Sequence, residues 1–497
     1  MGSKNYTKKA IKGVSIVGVL LFISYFLSYI LRIVLARNLT PEDYGLFYAV
    51  FSLIMFLLIF RDFGLGNALT KFIAQYNVNK DYPKIKTLIV SSFIFQLIAS
   101  LLLMSSLLLL SSYLSINYFR SDKADLVLSI LSVYILFSMF SRLMDNILKG
   151  FQDEKWYSWA QSIRIGSALL FFFPFYYLGF GVTSAALSFV VGVFLTFIFL
   201  FIGVLKYSFV FKYPLKDFWG TTKELFSYAL PVIFTGFGNK IVAHLDVLLL
   251  TYFVPLAIVG VYNVILPTAL LFLFIPRAVT MILFPMTSEL WERKDEKRLA
   301  KGVSIIHTYL LLLIQPLVYI IFVFGDLFIG TFFGYEYVSG LFAFRILLVG
   351  VLFYVLATTN NSIISAIGKP FIVTKIVGIA AVFNIILNII MIPIYGISGA
   401  ALATTLSYLI IFTFSTKAVL KFIHLHSPWK IIIKSLSSGF VFLLVAYGIR
   451  IVGPGSLWLR AVVAILVAGF AYFLIIYILK LIDIKEIKGY LKIMLSR

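Results

Sequence analysis

The feature that most constrains the fold is a series of apolar segments that runs through the whole chain. Each is about 20 residues long or more, the length that an α-helix needs to cross the hydrocarbon core of a bilayer. Fourteen such segments lie near residues 13–36, 45–66, 88–113, 125–149, 157–178, 182–205, 224–252, 257–286, 303–325, 339–366, 371–394, 397–420, 430–452 and 457–481. Hydrophobic residues make up 62% of the sequence, well above the share found in soluble domains. The sequence therefore predicts an all-α polytopic membrane protein with 14 transmembrane helices.

The distribution of basic residues predicts the orientation of the chain. Lys and Arg are concentrated in every second loop, from the N-terminal segment 4–12 to the C-terminal tail 480–497. The intervening loops hold few, namely Arg37, Arg120, Lys123, Arg450 and Arg460. Because basic loops are retained in the cytoplasm, both termini are predicted to be cytoplasmic, in a multi-pass protein of the cell membrane. The net charge of +22 reflects this bias and an attraction to anionic lipids, and nucleic-acid binding is not expected.

An internal repeat divides the chain. Gly45 and Gly260 are 215 residues apart, and the segments Gly181–Leu187 and Gly396–Leu402 are similar at the same offset. Six spans per repeat is an even number, so both copies enter the membrane from the same side, and a site is expected between them near the midplane. We therefore predict two six-helix lobes related by a pseudo-twofold axis along the membrane normal. Their predicted bounds are 1–210 and 211–425, followed by two further helices in 426–497.

Three motifs, in this order along the chain, resemble one known family. Residues 36–47 read ARNLTPEDYGLF, residues 61–69 read RDFGLGNAL, and residues 393–401 read PIYGISGAA. They resemble signatures of the polysaccharide-biosynthesis, or O-antigen-type, flippase family, except that Thr40 stands where that family usually has Gly. That family is grouped with multidrug and toxin extruders and with lipid II flippases, whose two six-helix lobes form a V.

The resemblance implies a transporter rather than an enzyme. Its substrate would be a polyprenyl- or dolichyl-(pyro)phosphate-linked oligosaccharide, moved from the cytoplasmic to the outer leaflet by alternating access. No catalytic residues, cofactor or metal site are expected, and the protein is predicted to be a monomer whose partners are this substrate and membrane lipids. The chain lacks a GxxxxGK[ST] sequence, so direct use of ATP is not predicted.

Charged residues inside the spans point to the substrate site. A cation at mid-bilayer costs roughly 2.5–3.5 kcal/mol, so such residues are expected to be paired, to reach the headgroups or to line water. The basic ones are Arg32, Arg61, Arg142, Arg164, Lys240, Arg277 and Arg345. The acidic ones are only Asp62, Asp145 and Asp246. A surplus of positive charge at depth is suited to an anionic ligand, and Arg can bind two phosphate oxygens at once.

The seven basic residues differ in their alternatives. Those near the ends of spans, Arg61, Arg142 and Arg277, can equally extend to the headgroups, and Arg142 can pair with Asp145 on its own helix. Lipid II flippases carry functional arginines on helices 1, 2 and 8, and by that resemblance Arg32, Arg61 and Arg277 are candidates. The predicted cavity residues that bind phosphate or glycan are Arg32, Arg61, Arg164, Lys240, Arg277 and Arg345.

Two further titratable residues are candidates for ion coupling. His244 lies one helical turn after Lys240 on the same face, and it titrates near neutral pH. Asp246 is close in sequence but faces another direction. A buried histidine is also a common hydrogen-bond donor between helices, so that alternative stays open.

Two other functions compete with the flippase hypothesis. A cation-coupled multidrug exporter of the same superfamily would require acidic groups deep in the lobes, and here Arg outnumbers Asp in the spans. A membrane glycosyltransferase or polymerase would require carboxylates or a metal at a membrane surface, and the chain has four His residues and no DxD sequence.

Overall fold

The fold is built from α-helices joined by short turns. The computed structural model describes residues 20, 22–424 and 428–481, with side chains at all of them except 231–243 and 428–431. This part of the chain contains no β-strand. The first helix, α1, spans 22–38. The others are α2 Pro41–Asp62, α3 Leu65–Val78, α4 Tyr82–Leu114, α5 Lys123–Gly150, α6 Glu154–Tyr157, α7 Ala160–Tyr177, α8 Thr183–Leu205, α9 Phe218–Phe253, α10 Leu256–Leu270, α11 Phe274–Glu292, α12 Glu296–Val323, α13 Gly325–Phe332, α14 Leu341–Ala366, α15 Pro370–Tyr395, α16 Ile397–Phe422, α17 Pro428–Val452 and α18 Leu457–Ile478.

Eleven spans in the described part of the chain are long and apolar enough to cross a membrane. The all-helical, multi-pass prediction is thereby confirmed. The first predicted span, 13–36, begins outside the described residues. The predicted spans near 157–178 and 224–252 correspond to α7 and α9, which are helical but are not among the eleven. The full number of 14 stays a prediction.

The chain divides into two compact units. The first contains residues 1–264 together with 388–397, and the second contains 265–387 together with 398–497. The lobes predicted from the repeat, at 1–210 and 211–425, are defined by sequence duplication rather than by compactness, and they stay a prediction.

In the first unit, the break between α1 and α2 is specified by local sequence. Thr40 has an extended backbone, and its hydroxyl accepts a hydrogen bond from the N–H of Asp43. Pro41 occupies the first turn of α2, where its missing N–H costs nothing, and Glu42 with Asp43 complements the positive end of the helix dipole. The helix therefore starts at Pro41, four residues earlier than the predicted span.

The beginnings of α2 and α10 cross at backbone contact. A Cβ atom on Gly45 would lie 1.9 Å from the carbonyl oxygen of Leu256, and one on Gly260 would lie 2.2 Å from the carbonyl oxygen of Pro41. Only glycine permits this approach, as in the small-residue crossings of membrane helices. Pro41 and Leu256 are separated by 215 residues, as are the two glycines. The contact is therefore reciprocal with respect to the sequence repeat.

The first unit bends sharply where α2 meets α3. Phe63 and Gly64 both have positive φ, 41° and 73°, which ends α2 and redirects the chain into α3. A Cβ on Gly64 would lie 2.4 Å from the carbonyl oxygen of Ala229, so α9 packs directly on this bend. Tyr76 of α3 also donates a hydrogen bond to Glu224 of α9, at 2.7 Å. Burial, the Glu224 contact and nearby carboxylates raise the pKa of Tyr76, so it stays a donor at neutral pH.

In the described part of the second unit, buried apolar residues form three clusters. One joins α12, α17 and α18 around Phe442, Ala464 and Tyr472. The others involve α12, α14 and α16, where the rings of Tyr354 and Tyr408 stack with centroids 4.0 Å apart, and the ends of α11, α12, α14 and α16. Helices α17 and α18 are thus packed against α12.

A bidentate ion pair ties α17 to the short helix α13. The Arg450 guanidinium donates to both carboxylate oxygens of Asp326, at 2.8 and 2.7 Å, and also to the carbonyl of Val323. Burial alone would raise the pKa of Asp326, but the Arg450 hydrogen bonds, together with backbone N–H donors, hold that pKa below its ordinary value. The ionised carboxylate is therefore favoured by folding.

Replacing Asp326 by Asn is expected to lower the free energy of unfolding at pH 7 by about 1–3 kcal/mol, since the hydrogen bonds lost are between charged groups. A carboxyl group whose pKa is lower in the folded than in the unfolded state stabilises the fold at pH values above its unfolded-state pKa of about 3.9. This stabilisation is lost as the pH falls through the folded-state pKa. The difference in melting temperature between wild type and D326N should therefore shrink below about pH 4. D122N, at an exposed carboxylate, is the control. Equal melting temperatures at pH 7 would contradict this assignment.

Candidate functional site

The first unit contains a partly open cavity of about 740 Å³, which is called the polar cavity below. Its walls come from α1, α2, α5, α6, α7 and α8, with His244 from α9. The charged and polar residues that line it are Ser24, Tyr25, Ser28, Arg61, Asp62, Tyr134, Ser138, Ser141, Arg142, Asp145, Lys149, Tyr157, Ser158, Gln161, Arg164, Thr196 and His244. The cavity brings together Arg61, Arg164 and His244 of the residues predicted from sequence.

Arg61 is the most rigidly held cation of this cavity. It lies in the last turn of α2 with 3% of its surface exposed. One terminal nitrogen donates to the carbonyl of Ile135 at 3.1 Å and to the hydroxyl of Ser138 at 2.8 Å, both on α5. Its Nε is buried without a partner among the described residues. The two hydrogen bonds from the terminal nitrogen fix the guanidinium against α5.

Arg164 and Arg142 are held more loosely. Arg164 is half-buried on α7 and donates to the side-chain oxygen of Gln161, one turn earlier. Arg142 is exposed on α5 and has no hydrogen-bonding or ionic partner within the described chain. Neither guanidinium is bound to a carboxylate in this part of the structure, so both can change partner when an anion enters.

The pairing expected on α5 is different in the structure. Asp145 forms an ion pair with Lys149, one turn later, at a distance of 2.6 Å, and not with Arg142, one turn earlier. All three residues line the cavity because spacings of three, four and seven place them on one face of a helix. Lys149 and Arg142 are not among the site residues predicted from sequence, although this helical spacing relates both to Asp145.

The balance of charge in the cavity is positive. Four basic side chains, Arg61, Arg142, Lys149 and Arg164, share it with two carboxylates, Asp62 and Asp145. Asp62 has one buried oxygen without a hydrogen-bond partner among the described residues. Serine and tyrosine hydroxyls line the remaining wall and can both donate and accept hydrogen bonds.

His244 and Asp246 face different surroundings. His244 is half-buried and lines the cavity. Asp246 has 1% of its surface exposed and accepts hydrogen bonds from the Tyr262 hydroxyl at 3.0 Å and from Asn388 Nδ2 at 2.7 Å. Asp246 therefore joins α9 and α10 to the 388–397 segment within the first unit, and it does not line the cavity.

The remaining predicted residues lie outside this cavity. Arg32 packs over the ring of Tyr48, 4.5 Å from its centroid, and donates to the carbonyl of Asn263 at 3.2 Å. Arg345 donates to the carbonyl of Phe322 at 3.0 Å. Arg277 is exposed on α11. Lys240 is on α9, and its side chain lies outside the described residues.

Known proteins that are similar to this chain establish its fold and its family. Solved structures with this fold include a lipid II flippase in an inward closed conformation, with a TM-score of 0.75, 18% identity, and 93% of this chain and 98% of that chain covered. Another is a multidrug resistance MATE transporter in an inward-facing conformation, with a TM-score of 0.64, 17% identity, and coverage of 80% and 94%. The chain therefore has the fold that these two transporters share.

Relatives in sequence span most of the chain. An uncharacterized membrane protein of Methanocaldococcus jannaschii is 31% identical, covering 99% of this chain and all of the relative. The probable low-salt glycan biosynthesis flippase Agl15 of Haloferax volcanii is 26% identical over 75% of each chain. Residues 10–291 match the family described as polysaccharide biosynthesis proteins. The chain is thus a multi-pass membrane protein that belongs to the polysaccharide biosynthesis protein family.

Proposed function

We propose that the protein is a flippase that moves a polyprenyl- or dolichyl-(pyro)phosphate-linked oligosaccharide from the cytoplasmic to the outer leaflet by alternating access. The observation that carries the proposal is the excess of basic over acidic side chains in a large cavity, three of whose walls, α2, α5 and α8, are candidate membrane spans. A charged side chain within the membrane has a high free-energy cost unless a counter-ion is close to it. An anionic headgroup supplies that counter-ion only while substrate is present.

The chemistry of the cavity supports a phosphorylated glycan as the ligand. Planar guanidinium groups bind two phosphate oxygens at once, and Arg61, Arg142 and Arg164 provide three of them. Hydroxyl and amide groups such as those of Tyr134, Ser141 and Gln161 match the hydrogen-bonding capacity of sugars. A volume of about 740 Å³ is in the range of small-molecule sites, so it suits a phosphate with the first sugars while the lipid tail stays in the bilayer.

The residues of the site have different roles in this proposal. Arg61, fixed by α5, positions the phosphate, and Arg142 of α5 and Arg164 of α7 close on it. Arg32 and Arg345 each donate a hydrogen bond to a backbone carbonyl. To bind substrate with the same donor, each would have to break that hydrogen bond. For these two residues, and for Lys240 and Arg277, the proposed substrate contacts rest on the sequence.

The proposed transport cycle uses the predicted topology. In this topology, two repeated six-helix lobes are followed by a helix pair, which gives fourteen spans, and both termini are cytoplasmic. The protein acts as a monomer in the cell membrane. The reciprocal contact of Gly45 with Leu256, and of Gly260 with Pro41, supports the duplication, because each partner is related to its counterpart by the same offset.

A reconstituted flipping assay tests the proposal. Purified protein in liposomes would be supplied with a fluorescent dolichyl phosphate-linked or undecaprenyl pyrophosphate-linked oligosaccharide, and a membrane-impermeant quencher would report its leaflet. We expect protein-dependent exchange between leaflets. Protein-free liposomes are the control. Transport of ethidium without movement of either lipid-linked sugar would instead establish the multidrug exporter alternative.

His244 is the proposed coupling residue, because it is a titratable imidazole on the wall of the cavity. If its protonation drives a step of transport, the H244Q variant should lose the variation of flipping rate between about pH 5.5 and 7.5 that the wild type shows. Flipping would be measured in the same liposomes at fixed internal pH. An unchanged pH profile in H244Q would remove His244 from the mechanism.

A further inference from the structure

The first unit carries a second concavity of a different kind. It is a groove of about 340 Å³ between α4, α5 and α8, and its lining is apolar apart from Ser208. Phe93 comes from α4, Met144 and Ile147 from α5, and Phe201 from α8. Phe201 and its neighbour Leu205 are 43% and 51% exposed, so the groove opens on the outside of the unit. An apolar concavity of this size between membrane helices is suited to a hydrocarbon chain.

One end of the groove is covered by the segment that follows α8. This strap, residues 206–217, contributes Phe211 to the groove. It is fastened to α4 because Lys86 Nζ donates to the carbonyls of Phe211 and Tyr213, at 2.9 and 2.7 Å. The Thr87 hydroxyl also accepts from the N–H of Lys216, at 3.0 Å. The groove therefore ends at an ordered loop rather than in the interior of the helix bundle.

The strap has the composition of a segment at the membrane surface. Its exposed aromatic residues alternate with lysines, as in interfacial anchors. The exposed aromatic and aliphatic residues are Phe209, Phe211, Tyr213 and Leu215, and the exposed Trp219 lies two residues beyond the strap, at the start of α9. This places the closed end of the groove at the level of the lipid headgroups.

The charges at this end favour an anion. Lys206 is paired with Asp153 at 2.9 Å, and Lys216 lies 3.8 Å from Asp81. Lys212, next to Phe211, is exposed and has no acidic partner within the described residues. The ammonium group of Lys86 contacts two carbonyls but no carboxylate in that part of the chain. Two cations thus remain beside the apolar groove for a phosphate group.

We propose that the groove binds an anionic glycerophospholipid of the surrounding membrane. One acyl chain fills the concavity beside Met144 and Ile147, and the phosphate lies against Lys86 and Lys212. The site is separate from the polar cavity, because Met144 and Asp145 lie on different sides of α5 and line different concavities.

Lipid binding to the full-length protein tests this site. Native mass spectrometry of the purified protein, titrated with dioleoylphosphatidylglycerol or dioleoylphosphatidylcholine, measures the two affinities. The wild type should bind the anionic lipid more tightly. K212Q leaves the hydrogen bonds of the strap intact. It should lower the affinity for the anionic lipid about fivefold and leave the affinity for the neutral lipid unchanged. K155Q, at an exposed lysine of α6, should behave as wild type.

Substitutions that fill the groove test the binding of the acyl chain separately from the binding of the headgroup. M144W, or L205W at the exposed rim if M144W folds poorly, should reduce binding of both lipids at least tenfold. L109W, at a site that is 85% exposed on α4, is the control for added apolar surface. Unchanged phosphatidylglycerol binding in both groove variants overturns the proposal. Displacement of the lipid by undecaprenyl phosphate at lower concentration also overturns it, since the occupant would then be the tail of a lipid-linked substrate.

Discussion

Replacing Arg164 by Glu is expected to abolish transport of the lipid-linked oligosaccharide while membrane insertion is retained. The change reduces the excess positive charge of the cavity from two to none. Loss of a charge-assisted hydrogen bond to phosphate alone removes about 1.5–3 kcal/mol of binding, and the new carboxylate repels the substrate. The flipping rate in liposomes should therefore fall by at least about tenfold.

Arg164 is suited to this test because its side chain contributes little to the packing of the helices. It donates to Gln161 of its own helix, whereas Arg61 is 3% exposed and holds Ile135 and Ser138 of α5. Reversal of Arg61 would leave a buried charge unpaired and would confound folding with transport. R164K keeps the charge and should retain part of the activity. Normal flipping by R164E, at wild-type melting temperature, would remove the polar cavity from the transport pathway.

Replacing Gly45 by Ala is expected to destabilise the protein strongly. The added methyl group would lie 1.9 Å from the backbone oxygen of Leu256, a contact that only a displacement of α2 or α10 can relieve. Overpacking in a close-packed interior costs about 1–3 kcal/mol, and here the obstacle is backbone rather than a movable side chain. Gly260→Ala should have a similar effect, because its methyl group would lie 2.2 Å from the backbone oxygen of Pro41.

Thermal unfolding in detergent and the yield of monodisperse protein measure this effect. G469A is the matched control, since nothing lies within 4 Å of a Cβ at Gly469 in α18. Removal of a helical glycine there should stabilise slightly, by about 0.5–1 kcal/mol. If G45A and G469A have the same melting temperature, the close crossing of α2 and α10 does not exist as described.

The sequence predicted the helices well because apolar length is a local property. The break before α2 was also visible, but its exact start depended on the hydroxyl of Thr40 as a cap, which moved the helix start to Pro41. The offset between Gly45 and Gly260 was read as a repeat. That the two glycines touch could not be deduced, since spacing along a chain does not specify which helices cross.

The candidate site was predictable only in part, because depth along a span does not reveal the direction of a side chain. Arg32 and Arg164 were equally deep by sequence, yet Arg32 packs on Tyr48 and donates to a carbonyl while Arg164 lines the cavity. The different directions of His244 and Asp246 did follow from helical periodicity. The hydrogen bond of Asp246 with Asn388 could not be foreseen, since the two residues are 142 positions apart.

That hydrogen bond has a consequence for biogenesis. Because residues 388–397 are part of the first unit, this unit is incomplete while the ribosome is still translating the helices of the second. Asp246 is inserted long before Asn388 is synthesised, and during this interval its carboxylate depends on Tyr262 and its other early neighbours. The early helices must therefore remain able to pack with the end of α15 after the intervening helices have been made.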